Sequence, residues 1–212
     1  MSWPTTMERA IVLVSGGIDS TVALWHALRQ GWDIHALSFD YHLRPRQEVA
    51  ATGRLLAAAG IGRHIRLPIP FVMELDDLRL AGHRLDHLAS APAAYIPARN
   101  MIFYSLAAYY AEVLEARWIV GGHNSGDVEG FPDTSAAFFD AFHSLCRRGV
   151  RSFPQVPFEV IRPLAGMSKI EVVRYGRRLG APLELTWSCY WDGETPCGTC
   201  PSCREREEVL GE

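Results

Sequence analysis

The sequence has no surplus of basic residues. It carries 21 Lys+Arg against 24 Asp+Glu, a formal net charge of −3. That excludes a chain-wide polyanion-binding surface, and nucleic acid is not an expected partner. It also has no apolar run approaching the ~18 residues a membrane span needs. Residues 1–9 are polar, with Pro4 and Glu8 where a signal peptide would carry its apolar core. The expectation is a cytoplasmic protein with no membrane partner and with reduced thiols. There is no internal repeat and no low-complexity segment. The eight histidines form no H-E-x-x-H pattern, and no G-x-G-x-x-G follows a strand. Those two absences argue against a zincin site and a Rossmann dinucleotide site.

What is present is an alternation. Hydrophobic residues make up 48% of the 212 and charged residues 21%, the balance of a globular chain, read as one domain over 1–212. Segments 10–14, 33–39, 63–67, 118–121 and 158–161 read as strands. Segments 20–29, 45–59, 99–116, 135–148 and 168–179 read as helices, the last with a capping box from Ser168 and Glu171. In the 99–116 helix, Ile102, Phe103, Leu106, Tyr109, Tyr110 and Val113 form the expected core face. Pro68 and Pro70 are expected to end the third strand, and 71–97 to form a loop with a short helix over the mouth of a site. Strands separated by helices predict an α/β fold with a doubly wound parallel five-stranded sheet. Ligands in such sheets bind at the carboxyl ends of the strands.

Two clusters carry chemistry. The first is Ser15-Gly16-Gly17-Ile18-Asp19-Ser20-Thr21, between the first strand and its helix. Its glycines let a ligand approach the main chain, and the helix start beyond attracts an anion. No Lys follows the glycines, so it is not a Walker A loop. An ordinary turn with Asp19 or Ser20 as helix cap is the plainer reading of the loop alone. The second cluster is Cys189-x7-Cys197-x2-Cys200-x2-Cys203, four of the five cysteines within the last 24 residues. Four thiolates suit a closed, structural Zn2+ site over a C-terminal segment 186–212. A ferredoxin-like iron–sulfur run is the competing reading of that spacing. The fifth, Cys146, reads as a buried thiol on a helix face with Phe142 and Leu145.

The first cluster resembles the PP-loop of ATP pyrophosphatases, which cleave ATP between the α and β phosphates. Taken with the second, the chain resembles the QueC-like 7-cyano-7-deazaguanine synthases nearly end to end. The resemblance runs through Asp40-Tyr41 with Arg44, Arg46 and Glu48, then Tyr95-Ile96-Pro97-Ala98-Arg99-Asn100. It continues through Gly130-Phe131-Pro132-Asp133, Pro163-Leu164 with Lys169, and the cysteine tail with Arg206.

It implies a sheet of the adenine-nucleotide alpha-hydrolase-like type and a homodimer. It implies ATP bound by Val14, Ser15, Gly16, Gly17, Ile18, Asp19, Ser20 and Thr21, with Asp19 and Lys169 catalytic. Tyr95, Arg99, Asn100, Phe131 and Asp133 would bind the substrate. Zn2+ would sit on the four cysteines, and Mg2+ would come with ATP. The implied reaction converts 7-carboxy-7-deazaguanine and ammonium to the nitrile through adenylated intermediates. No glutaminase domain is evident, so free ammonium is the expected nitrogen source. One departure stands out. The family pattern Y-P-D-C-R is here Phe131-Pro132-Asp133-Thr134-Ser135, without the Arg. A related PP-loop enzyme adenylating another carboxylate, amide or macromolecule is therefore the alternative. A catalytically idle zinc module is a third reading.

Overall fold

Short apolar runs rich in Val, Ile and Ala pair into a sheet buried on both faces. In the computed structural model, which describes residues 7–92 and 95–211, five strands form. They are β1 (Arg9–Leu13), β2 (Asp33–Tyr41), β3 (His64–Ile69), β4 (Trp118–Val120) and β5 (Glu159–Ile161). All pairings are parallel and the order is β3-β2-β1-β4-β5. Winding reverses between β1 and β4, so the loops that follow these two strands diverge at a switch point. Six of the N-terminal residues read above as polar, including Pro4, lie outside the described residues.

Successive side chains of a strand face opposite layers. Along β1, Ala10 and Val12 join one core and Ile11 the other. The first layer holds α1 (Ile18–Arg29), α2 (Arg46–Ala58) and α7 (Lys169–Leu179). The second holds α4 (Arg99–Leu114) and α6 (Ala136–Gly149). Short helices α3 (Leu75–Leu80) and α5 (Asp127–Gly130) border the carboxyl ends of the strands, and α8 (Pro201–Gly211) closes the tail. The capping box at Ser168 is formed, and Gly180 ends α7 in the left-handed region. Among the described residues no helix is long and apolar enough to cross a membrane.

Three details differ from the sequence reading. β3 continues through Pro68 to Ile69, because an edge strand tolerates a missing N–H. The buried face of α4 is Tyr104, Ala107, Ala108 and Ala111, whereas Tyr109 and Val113 are exposed. That helix is apolar all round, so periodicity cannot select a face, and the small alanines win the close approach to the sheet. Leu145 is exposed while Cys146 and Phe142 are buried. α8 has no strong apolar period of its own; Cys203 and Val209 are its buried residues, Val209 joining the first core.

Candidate active site

The β1 loop meets the start of α1 with its glycines under compulsion. Gly16 has φ +96°, and a Cβ there would lie 2.5 Å from the Glu48 carbonyl oxygen. α2 can therefore pack directly on the loop. Gly17 is the N-cap of α1 and supplies no side-chain hydrogen bond, so the plainer reading, with Asp19 or Ser20 as the cap, does not hold. Ser20 Oγ instead accepts from the Ser15 N–H and donates to Gly17 O. The first turn of α1 thus faces outward with its amides uncapped by a side chain, an arrangement that attracts anions.

The loop forms one wall of a cavity of about 340 Å³ at the carboxyl ends of β1, β2 and β4. Of the loop residues, Val14, Ser15, Gly17, Asp19 and Ser20 line it. Gly16 and Ile18 are buried behind the wall, as is Thr21, whose hydroxyl donates to Gly17 O at 2.8 Å. Arg44 braces the loop from below with its side chain only 4% exposed. It donates to Ser15 O, to Phe39 O at 2.8 Å and to Glu48 Oε1 at 3.1 Å.

Lys169, the only lysine in the chain, opens α7 and reaches Asp19. Its Nζ donates to Asp19 Oδ2 at 2.5 Å, and Glu205 Oε2 lies 3.7 Å away. Burial works against the charge on Lys169, but Asp19, Glu205 and Asp127 outweigh it and hold its pKa above the ordinary value. Asn124 Nδ2 makes a longer contact, 3.4 Å, with the other Asp19 oxygen.

The β4 loop supplies the opposite wall. Gly122 presses against the start of α1, where a Cβ would lie 2.7 Å from the Asp19 carbonyl. His123 lines the cavity and shares a 2.9 Å hydrogen bond with the fully buried Tyr104 hydroxyl. Burial, with Arg99 and Arg162 nearby, pushes the His123 pKa down to about 4, so its imidazole is neutral at physiological pH. Burial also raises the carboxyl pKa values of Asp127, Glu48 and Glu74, all on the cavity wall.

The residues expected to bind the substrate divide. Arg99 and Asn100, at the start of α4, line the cavity. The Arg99 guanidinium sits 5.4 Å over the Phe131 ring. Tyr95 and Phe131 stack on each other with centroids 6.2 Å apart, away from the cavity wall. Asp133 does not cap the helix that follows it, a role Ser135 takes. Its carboxylate instead accepts from Asn100 N at 3.0 Å and Asn100 Nδ2 at 3.1 Å, tying the start of α4. Glu74, Tyr104, His123 and Asp127 escaped the sequence reading. The Gly121-Gly122-His123-Asn124 run directly after β4, at a switch point, was the available signal.

The cysteine tail forms the third wall. The four thiol sulfurs lie within 4.8 Å of one another, and none is in a disulfide. N–H groups of Cys200 and Cys197 point at the sulfurs of Cys197 and Cys189, at 3.3 and 3.4 Å. Backbone N–H groups hold the Cys197 thiol pKa well below its ordinary value. Gly198 turns the chain at φ +70°. Four convergent sulfurs with N–H donors behind them fit a metal ion. The same segment touches the site. Trp187 N donates to Gly16 O at 2.9 Å, and Ser188, Cys189 and Tyr190 line the cavity.

A parallel α/β sheet with this loop at its switch point is a PP-loop ATP-binding fold. Similar folds occur in an NMN synthetase from Francisella tularensis, with a TM-score of 0.54 and 20% identity over 98% of this chain and 79% of that one. A 4-thiouridine synthetase in complex with RNA and ATP gives a TM-score of 0.53 at 24% identity, over 96% of this chain and 50% of that one. The chain belongs to the QueC family, described as queuosine biosynthesis protein QueC, whose family model matches residues 9–212. Two relatives named 7-cyano-7-deazaguanine synthase are each 38% identical to it. The one from Thermosynechococcus vestitus aligns over 98% of this chain and 93% of its own, and that from Acetivibrio thermocellus over 93% and 90%.

Proposed function

We propose that this chain is an ATP-dependent ligase that converts 7-carboxy-7-deazaguanine and ammonium to 7-cyano-7-deazaguanine. The observation that carries this reading is the uncapped start of α1 beside the Asp19–Lys169 pair, on a cavity that Arg99 and Asn100 also line. The substrate carboxylate attacks the α-phosphorus of ATP and the bond to pyrophosphate breaks. The amides of the first turn of α1 and the Ser15 and Ser20 hydroxyls receive the phosphate oxygens. Asp19 would hold Mg2+ brought with ATP, which supplies charge neutralisation at the phosphates. Lys169 would carry positive charge to the departing pyrophosphate.

Ammonia then displaces AMP and leaves the primary amide. The amide oxygen attacks the α-phosphorus of a second ATP, pyrophosphate leaves, and loss of AMP and of both amide protons gives the nitrile. Nothing in the cavity need act as a covalent nucleophile; the chain positions the reactants and balances charge. The Arg99 guanidinium donates no hydrogen bond to another described residue, and this leaves it for the substrate carboxylate. Zinc on Cys189, Cys197, Cys200 and Cys203 would be structural, since all four positions are sulfur.

Incubation with ATP, Mg2+, ammonium and 7-carboxy-7-deazaguanine tests the reading, with the nitrile detected by mass spectrometry. AMP formed only with some other acceptor would overturn it. One observation favours that second reading. Thr134 is buried and Ser135 caps α6, so neither offers a cation to a substrate carboxylate.

A further inference from the structure

Lys169 stands between two carboxylates of different kinds. Asp19 belongs to the phosphate loop, while Glu205 belongs to α8, the helix that carries Cys203. Both ends of the second contact are built on fixed backbone. The capping box holds the first turn of α7, from which Lys169 projects. α8 is clamped by Arg206, which donates to Thr186 Oγ1 at 2.5 Å, Leu183 O at 3.1 Å and Ser188 Oγ at 3.3 Å. Arg177 of α7 also donates to Leu210 O at 2.7 Å.

Resting on the proposed reading, Asp19 has two demands on it. Without nucleotide it balances the Lys169 ammonium. With ATP and its cation at the loop, the ammonium and a divalent cation repel each other across one carboxylate. Lys169 then gives up Asp19 and turns to phosphate. A four-carbon side chain released from its partner regains rotamer freedom, which opposes a defined contact. Glu205 does not face that competition, because it lies on the tail side of the ammonium.

We propose that Glu205 is a positioning residue for the adenylation step: it keeps the Lys169 ammonium beside the phosphate loop when Asp19 turns to the nucleotide's cation. The Glu205 side chain is 51% exposed. A half-exposed ion pair contributes little to folding, so its effect belongs on nucleotide affinity and not on stability.

The test compares wild type, Glu205→Gln and Glu205→Asp for ATP affinity by calorimetry in Mg2+, with metal content and Tm measured on each. Glu205→Gln is expected to weaken ATP binding about two- to fivefold. KM for ATP rises and kcat falls by no more than a similar factor, while metal content and Tm stay at wild-type values. Glu205→Asp keeps the charge and recovers part of the affinity. In a Lys169→Met background the Glu205→Gln change has no further effect, because its influence runs through that lysine. Equal ATP affinity of Glu205→Gln and wild type overturns the inference, as does an undiminished effect in the Lys169→Met background. Loss of metal or of Tm in Glu205→Gln also overturns it, by placing the residue in the fold. Wild-type protein that binds no ATP overturns the proposed function and this inference together; the other failures leave that function standing.

Discussion

Gly122→Ala perturbs the contact on which the site depends, the seating of the β4 loop against the start of α1. The added Cβ would stand 2.7 Å from the Asp19 carbonyl carbon and oxygen and 2.8 Å from Ser20 N. These are backbone atoms and cannot swing away. Reaching ordinary contact requires the two loops to part by roughly 0.8 Å. Overpacking of this kind costs about 1–3 kcal/mol, which for a chain of this size lowers Tm by roughly 2–12 °C. The displaced atoms carry the Asp19 side chain, and an error approaching ~1 Å in a reacting group costs up to ~10²-fold in rate.

The assay pairs a thermal melt with pyrophosphate release, and the rate should fall by more than the lost stability accounts for. Gly149→Ala is the control. Nothing lies within 4 Å of its Cβ position at the end of α6, so its stability should change by under ~1 kcal/mol with activity intact. Wild-type Tm and wild-type rate in Gly122→Ala would refute the claim that the two loops are in contact.

Asp133→Ala removes two acceptors from the 3%-exposed Asn100 and should cost about 1–2 kcal/mol in denaturant unfolding. Unchanged stability would mean that Asp133 does not hold the start of α4. Acid stability should carry the mark of His123, whose folded pKa of about 4 lies below the ordinary value of 6.5. Between those values the unfolded chain binds a proton the folded one refuses, so stability falls as pH drops through that window, by up to about 3 kcal/mol. His26, His35 and His64 are shifted downward too and act in the same direction. His123→Gln should flatten the lower part of the stability–pH curve, and an unaltered slope would count against a buried neutral imidazole. Chelation should lower Tm and speed amide exchange over residues 187–211, where the cysteine cluster is the main core. A melt indifferent to chelator would refute metal binding there.

Strand and helix periods are local, so the alternation of five strands and their helices is legible in the residues themselves. So are Gly180 and the Ser168 capping box, since a cap needs only its own few residues. The loop at 15–21 and the four cysteines are equally legible, because backbone freedom and thiol spacing are written in consecutive residues. Sequence order also suffices to place Arg99 and Asn100 at the start of a long helix. It cannot say that Asp133, 33 residues on, closes upon Asn100, nor that Lys169 pairs with Asp19 across 150 positions. Which face of the uniformly apolar α4 is buried is likewise left to packing against the sheet. The neutral state of His123 is a property of its burial beside Tyr104, Arg99 and Arg162. Desolvation and long-range charge arise only when distant segments meet, and so the tertiary structure alone decides them.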